Sequence, residues 1–301
     1  MDSLHTKELL QLYGYEPKKS LGQNFLISNE ITSQIASLAD ISQDDVIIEI
    51  GGGLGGLTTE LLQSGAQVVV IEIDQRMHKV LEESVASKWK NCVLLPPTDV
   101  RELDLAKVET VSQALEQGKH LKVVANLPYY CTSEVLQQVL CQVPNLERLV
   151  VLIQKEAAQR VSAQVNTKQY GPLSVLLQLY GKKLKHITVP AHCFYPRPTV
   201  TSQVVAWEKR ATSELAPKDK EEIGKEKKDF ACFLANAFAY RRKRLMKNLS
   251  LAYPALTLQT IESVWQCLGL ALEARAEQIT PEQFKQIYLA LKSGLRKEEI
   301  C

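Results

Sequence analysis

Five short runs of β-branched and aliphatic residues recur at intervals, each long enough for one strand: Val46–Ile50, Val68–Glu72, Val93–Leu95, Leu121–Ala125 and Leu149–Ile153. Helical-looking stretches separate them, one of them near Gln75–Ser84. Continuous apolar strands divided by helices bury both of their faces in a parallel sheet with helices packed on each side. Two further candidates, His186–Pro190 and Ser202–Trp207, bring the count to seven. The expected class is α/β, with a Rossmann-like, mostly parallel, seven-stranded sheet.

The last third of the chain has no strand-like run. Phe230, Phe233, Leu234 and Ala237 recur at helical spacing, as do Ile261, Val264, Trp265 and Leu268. Thr280-Pro281-Glu282-Gln283 carries the signature of a helix start, with Thr280 as N-cap and Gln283 closing a capping box. A small all-α C-terminal domain is expected over residues 230–301. Residues 209–229 are charged and poor in apolar side chains and read as a linker, which leaves 1–208 for the sheet domain. From Glu208 onward there are 17 Lys and Arg against 13 Asp and Glu, and the basic excess concentrates at Arg241-Arg242-Lys243-Arg244. Such a cluster on a helix that buries Phe238, Leu245 and Leu249 on another face suits a polyanionic partner.

The seven cysteines lie at least ten positions apart and no HExxH motif occurs, so zinc-ligand spacing is absent and no metal is expected. Reduced thiols and a cytoplasmic setting follow from the odd cysteine count and the chain length. No apolar run approaches the ~18 residues of a membrane span, and the N-terminus lacks a secretory pattern. No membrane partner is expected.

Gly51-Gly52-Gly53-Leu54-Gly55-Gly56 follows the first strand and precedes a helix. A turn so rich in glycine costs backbone entropy, which close approach of a ligand would offset. Glu49 lies two residues before Gly51, Glu72 ends the second strand, and Asp99 follows the third. Carboxylates at three successive strand ends would repel a pyrophosphate and so oppose NAD. They suit a ligand with ribose hydroxyls, an amino group and positive charge, a description that S-adenosylmethionine meets.

The fourth strand runs into Asn126-Leu127-Pro128-Tyr129, at the carboxyl edge where open α/β sheets place their chemistry. An adenine amino nitrogen is a poor nucleophile because its lone pair is delocalised into the ring. Acceptors for both amino hydrogens favour a pyramidal nitrogen with a localised pair. Asn126 offers an amide oxygen and Leu127 a backbone carbonyl. Pro128 brings no competing N–H, and Tyr129 supplies a flat face for an extruded base.

These motifs resemble those of the small-subunit rRNA adenine N6,N6-dimethyltransferases of the KsgA type, over nearly the whole chain. The resemblance rests on Lys18-Lys19-Ser20-Leu21-Gly22-Gln23-Asn24-Phe25-Leu26, on Glu49–Thr58 with its glycines, and on Asn126–Tyr129. Further along it rests on Phe194–Ser202, similar to an FxPxPxVxS segment, on Ala237–Leu245, similar to AFxxRRKxL, and on Arg275-Ala276-Glu277. It implies a class I methyltransferase domain over 1–208 and an rRNA-binding helical domain over 230–301. The implied activity is methyl transfer from S-adenosylmethionine to N6 of two adjacent adenosines near the 3′ end of small-subunit (16S) rRNA, leaving S-adenosylhomocysteine. The implied partner is rRNA in an immature small subunit during ribosome biogenesis, met by a monomer. Donor contacts fall on Asn24, Leu26, Gly51, Gly53, Glu72, Asp99 and Asn126. Catalytic positions fall on Asn126, Leu127, Pro128, Tyr129 and Phe194, with Tyr129 and Phe194 sandwiching the target adenine. RNA contacts fall on Lys18, Lys19, Arg241, Arg242, Lys243 and Arg244. The chain departs from the family pattern at Gly52, where proline is usual, and at Tyr130-Cys131, which replace Asn-Ile. The alternatives are a 23S rRNA adenine methylase of the macrolide-resistance type, opposed by the FxPxPxVxS wording and the Arg-Arg-Lys segment, and a non-catalytic ribosome-assembly factor, opposed by the retention of Gly51 and Asn126.

Overall fold

A computed structural model describes residues 3–17, 23–143, 145–210 and 220–292. Its strands are β1 (Phe25–Leu26), β2 (Val46–Ile50), β3 (Gln67–Ile71), β4 (Cys92–Leu94), β5 (Leu121–Asn126), β6 (Leu146–Gln154), β7 (Gly181–Val189), β8 (Phe194–Tyr195) and β9 (Ser202–Lys209). Seven of them form one sheet in the order β4-β3-β2-β5-β6-β9-β7. The pairs β2–β3, β2–β5, β3–β4 and β5–β6 are parallel and β6–β9 is antiparallel, so the expected sheet is the one observed. All five β2 residues are buried, as the helix-covered centre of a parallel sheet requires. Ile31, Ile35, Leu57, Leu61, Val68, Val70 and Val124 belong to one core cluster with Ile47. The outermost strand, β7, keeps Lys182, Lys183, Lys185 and His186 exposed, charges that discourage edge-to-edge pairing.

Strand order fixes where chemistry can sit. From β2 the chain moves outward through β3 to β4, then returns to the other side of β2 as β5. The carboxyl ends of β2 and β5 therefore face a crevice at a topological switch point. The register makes the alignment close: Ile50 pairs with Ile71 on one side and with Ala125 on the other. The residues at or just beyond the strand ends, Gly51, Glu72 and Asn126, emerge along the same edge.

The chain divides into two compact units, Met1–Ala158 with Lys183–Lys209, and Gln159–Lys182 with Arg210–Cys301. In the second, Phe230, Phe233, Tyr253 and Tyr288 pack around one another, with ring centroids 5.2 Å apart for Phe230–Tyr288 and 5.5 Å for Phe233–Tyr288. The capping box at Thr280 forms as expected: Gln283 N donates to Thr280 Oγ1 at 3.1 Å and Thr280 N to Gln283 Oε1 at 3.0 Å. The helix expected after residue 229 begins earlier, spanning Lys220–Ala237, within the stretch read as linker. Residues 211–219 of that stretch lie outside the described residues. Cys92, Cys131, Cys141, Cys193 and Cys267 are free thiols, but Cys232 is disulfide-bonded, against the expectation of reduced cysteines throughout. Among the described residues no helix is long and apolar enough to cross a membrane.

At the amino edge of the sheet a buried ion pair joins two neighbouring strands. Lys122 Nζ on β5 meets Asp45 Oδ2, just before β2, at 2.7 Å, with side-chain exposures of 7% and 2%. The same Asp45 oxygen accepts from Ser42 N at 2.6 Å, and Lys122 also donates to the Asp40 carbonyl. Removing one partner strands the other charge in an apolar setting. Asp45→Ala is expected to lower unfolding free energy by about 3–5 kcal/mol in urea titration, whereas the paired replacement Asp45→Leu with Lys122→Met is expected to recover most of it. Equal losses in the single and double variants would contradict the assignment.

Candidate functional site: a cleft at the carboxyl edge of β2 and β5

The glycine turn brings two strands' ends together. Gly51 has φ +82°, a conformation costly for any side chain, and a Cβ there would stand 3.3 Å from the Asn126 carbonyl oxygen. At Gly52, where the resembled family favours proline, added carbon would meet Val70 Cγ1 at 2.7 Å and Leu81 Cδ1 at 2.9 Å. A side chain at this position would have to displace Val70 or Leu81. Beyond the turn lies a cleft open to solvent. Ile50, Ile71, Ile73, Met77, Val100 and Val135 give it apolar walls.

The polar groups of the cleft are few and each is held. Glu72 is 7% exposed; its Oε2 accepts from Gly53 N and its Oε1 from Asp74 N, both at 2.9 Å. Burial raises its pKa, and the two backbone donors pull it back. Asp99 is held well below the usual carboxylate range by Arg101, whose Nη2 lies 2.6 Å from Oδ2 and whose backbone N–H donates to Oδ1 at 2.9 Å. Arg101 also pairs with Glu134 at 3.2 Å and lies over the Tyr130 ring at 5.7 Å. Asn126 Nδ2 donates to the Asn24 carbonyl at 3.3 Å. That bond assigns the amide's nitrogen end and leaves Oδ1 as an open acceptor among the described residues. Leu127 is tied to β6 through its N–H, 3.1 Å from Leu152 O. Tyr129 Oη lies 3.1 Å from Ser202 Oγ.

Of the residues singled out from sequence, Asn24, Gly51, Gly53, Glu72, Asp99, Asn126, Leu127, Pro128 and Tyr129 all line this cleft. Leu26 and Phe194 do not. They face each other in the two-residue antiparallel pair β1–β8, and Phe194 is 2% exposed within the core cluster. The structure therefore does not bring together the pair expected to sandwich adenine: Tyr129 lines the cleft and Phe194 is buried outside it. Glu49 is a correction: it is fully buried on β2 and outside the cleft, because strand alternation turns Ile50 toward the cavity and Glu49 to the opposite face. Among the described residues neither of its carboxylate oxygens is within hydrogen-bonding geometry of a partner, and burial pushes its pKa up to about 8, with the nearby Thr58 hydroxyl pulling the other way. It is a neutral core group at neutral pH, not a cation's counter-charge.

Lys18 and Lys19 lie outside the described residues. Arg241, Arg242, Lys243 and Arg244 are all exposed, but in a turn rather than on the expected helix. The helix ends at Ala237, and buried Asn248 closes the turn by donating to the Ala237 carbonyl at 2.7 Å and the Tyr240 carbonyl at 3.2 Å. Four successive cations would also repel across helical turns. Arg241 donates to the Tyr170 carbonyl and Arg244 pairs with Glu273, whereas Arg242 has no ion pair among the described residues. Sequence reasoning missed Ser202 and Arg101 as partners of site residues. The only signal for Ser202 was its place at the end of the Phe194–Ser202 motif.

Residues 14–293 match the family model of ribosomal RNA adenine dimethylase. A ribosomal RNA small subunit methyltransferase A from Leuconostoc mesenteroides is 36% identical over 289 residues, covering 95% of this chain and 94% of that protein. The protein of the same name from Bacillus mycoides is also 36% identical over 289 residues, 95% of each. Among solved structures, a dimethyladenosine transferase from Plasmodium falciparum matches with a TM-score of 0.70 at 22% identity, over 90% of this chain and 98% of that one. The 23S rRNA methyltransferase ErmE matches with a TM-score of 0.59 at 23% identity, over 89% of this chain and all of that one, at 100%. At those identities the two structures speak for the fold alone.

The buried Glu49 generates a pH signature. Its pKa of about 8 stands above the ordinary 4.5, so between those values the native state keeps a proton that the unfolded chain releases. Stability therefore falls as pH rises through that window. Glu49→Gln removes the titration. The variant is expected to melt several degrees above the parent at pH 8, with the gap closing toward pH 4.5. Parallel melting curves across that range would contradict the buried neutral carboxyl.

Proposed function

The chain belongs to the ribosomal RNA adenine dimethylase family, and from that membership we propose that it transfers methyl groups from S-adenosylmethionine to N6 of two adjacent adenosines near the 3′ end of small-subunit rRNA, giving N6,N6-dimethyladenosine. The observation that carries the reading is the Asn126 amide, turned by the Asn24 carbonyl so that its oxygen remains an acceptor beside Tyr129 in the cleft. The curated relatives named for the small subunit favour that rRNA over the 23S alternative.

The cleft fits the methyl donor. Gly51 keeps the backbone bare where a Cβ would close the space against Asn126, Glu72 and Asp99 offer carboxylates at separate points, and aliphatic side chains wall the remainder. Glu72 would hold ribose hydroxyls and Asp99 the amino group of the donor's adenine, with Asn24 and Gly53 beside them; Leu26, assigned to the donor from sequence, stands outside the cleft lining. Bound there, S-adenosylmethionine supplies an electrophilic methyl on a sulfonium. The chain's own part is to hold the target. Asn126 Oδ1 and the Leu127 carbonyl accept from the adenine amino group and localise its lone pair, while Pro128 brings no N–H to compete. Tyr129 stacks on the extruded base. Phe194, assigned to the second face from sequence, is buried in the core beside Leu26 and has no place in the cleft lining. No side chain needs to act as base before attack, because the amino proton becomes acidic only after the nitrogen is alkylated. No residue is assigned to a metal.

The unit made of Met1–Ala158 and Lys183–Lys209 serves as the donor domain, and the unit made of Gln159–Lys182 and Arg210–Cys301, rather than 230–301 alone, grips rRNA in an immature small subunit, with Arg241, Arg242, Lys243 and Arg244 toward phosphates and Lys18 and Lys19 assigned likewise from sequence. The protein acts as a cytoplasmic monomer during ribosome biogenesis.

Asn126→Ala removes the open acceptor and is expected to slow methyl transfer by about 10²–10³-fold, as for loss of one donor or acceptor aimed at a reacting group. Calorimetric affinity for S-adenosylmethionine should change far less. Mass spectrometry of nuclease-digested small-subunit rRNA reads the transfer, and normal turnover in this variant would remove the catalytic assignment. In the C-terminal turn, Arg242→Gln with Lys243→Gln is expected to flatten the log–log salt dependence of rRNA binding by about one unit per lost phosphate contact. An unchanged slope would make that turn a solvated surface.

A further inference from the structure

We propose that Ser202 is a positioning residue for the tetrad tyrosine, its hydroxyl setting the plane of the Tyr129 ring on which the target base stacks. The inference rests on the reading of Tyr129 as the stacking platform and adds the device that holds the platform still.

Tyr129 needs such a device because the backbone does not provide one. It sits in an irregular stretch between the end of β5 at Asn126 and the helix that starts at Thr132. The strand ladder reaches only as far as Leu127, through its bond to Leu152 O. The carbonyl of Pro128 is committed to the helix start, accepting from Thr132 Oγ1 at 3.0 Å. The ring itself can turn about two side-chain bonds, and one side of it is open to the cleft. Its hydroxyl is the third point of attachment, 3.1 Å from Ser202 Oγ.

Ser202 is built to serve as the fixed end. It is the first residue of β9 and pairs with Gln154 at the end of β6, so its backbone is locked into the antiparallel part of the sheet. It is 0% exposed. The β6–β9 ladder is made of backbone groups and does not use the serine hydroxyl, so alanine would preserve the strand. A hydroxyl in an apolar position must find a partner, and the partner here is the one aromatic hydroxyl of the tetrad. Ser202 also ends the segment that carries Phe194, so the FxPxPxVxS-like motif contributes to the tetrad by this polar contact.

A ring held at one edge presents a constant face. Loss of the bond should therefore cost transfer rather than folding or donor binding. The second methyl transfer should suffer more than the first, because a base carrying one methyl has a single amino hydrogen and must be presented in one rotamer.

The test is a double-mutant cycle with Ser202→Ala, Tyr129→Phe and the pair, measured as single-turnover transfer to small-subunit rRNA, with product stage, melting temperature and calorimetric affinity for S-adenosylmethionine alongside. Each single variant is expected to lose about three- to ten-fold in rate, the scale of one hydrogen bond, and to accumulate N6-monomethyladenosine. The pair should be no slower than either single variant. Donor affinity should stay near the parent's in every variant, and melting temperature in Ser202→Ala and the pair, while Tyr129→Phe melts somewhat lower because it leaves the buried Ser202 hydroxyl unpartnered. Tyr129→Phe removes the same bond without touching β9, so the question is answered even if Ser202→Ala folds poorly. Multiplicative losses in the pair, or parent-like rate and product stage in Ser202→Ala and Tyr129→Phe, overturn the inference. Tyr129→Ala separates the two levels: a slow Tyr129→Ala beside parent-like Ser202→Ala and Tyr129→Phe overturns the Ser202 role alone, and a Tyr129→Ala with the parent's rate overturns the stacking platform and the inference with it.

Discussion

Two parallel strands that end in register, with almost no space between the residues just beyond their ends, govern the rest of the molecule. β2 and β5 are neighbours only because the chain returns from β4 to the far side of β2. A Cβ on Gly51 would stand 3.3 Å from the Asn126 carbonyl, so the glycine turn and the residue proposed to face the target base occupy adjoining positions. Everything else serves that adjacency. The buried Lys122–Asp45 pair joins the strands at the opposite edge, Val70 and Leu81 support the turn from below, and the Asn24 carbonyl orients the amide from the N-terminal side.

Three carboxylates close to one glycine turn end up with three different characters, and the environment of each explains why. Glu49 is buried with no hydrogen-bond partner among the described residues, and burial pushes its pKa up to about 8. Glu72 is buried but receives two backbone N–H groups, which offset part of the desolvation cost of its charge. Asp99 is drawn down by a guanidinium and stays ionised. A site for a cationic nucleoside needs the last two in the cleft and the first out of it. The alternation of side chains along β2 accomplishes this separation within one residue of Ile50.

The sheet could be read from sequence because its strands are continuous β-branched runs, and such runs have few other stable uses. The donor side of the cleft could be read because glycines and carboxylates fall at strand ends. What escaped was whatever depends on contacts remote in sequence. Glu49 and Glu72 look equivalent as strand-end acids, and only the phase of β2 against the cavity tells them apart. The β1–β8 pair has two residues a side, too few for any period, yet it carries Leu26 and Phe194 out of the cleft wall. The basic run reads as helix by continuity with its flanks, while Asn248 closes it into a turn by bonding the carbonyls of Tyr240 and Ala237, eight and eleven residues back. Ser202 sits 73 positions from the tyrosine it touches.

The central claim is that this cleft places methyl groups on adenine N6 in small-subunit rRNA. The direct measurement supplies the protein with S-adenosylmethionine labelled in its methyl group and with unmethylated small- and large-subunit rRNA together, then locates the label by mass spectrometry of digested fragments. Label in N6,N6-dimethyladenosine at two adjacent positions near the 3′ end of the small-subunit rRNA, with none in the large-subunit rRNA, is the predicted result. Label in the large-subunit rRNA, or none beyond the monomethyl stage at long times, would contradict it.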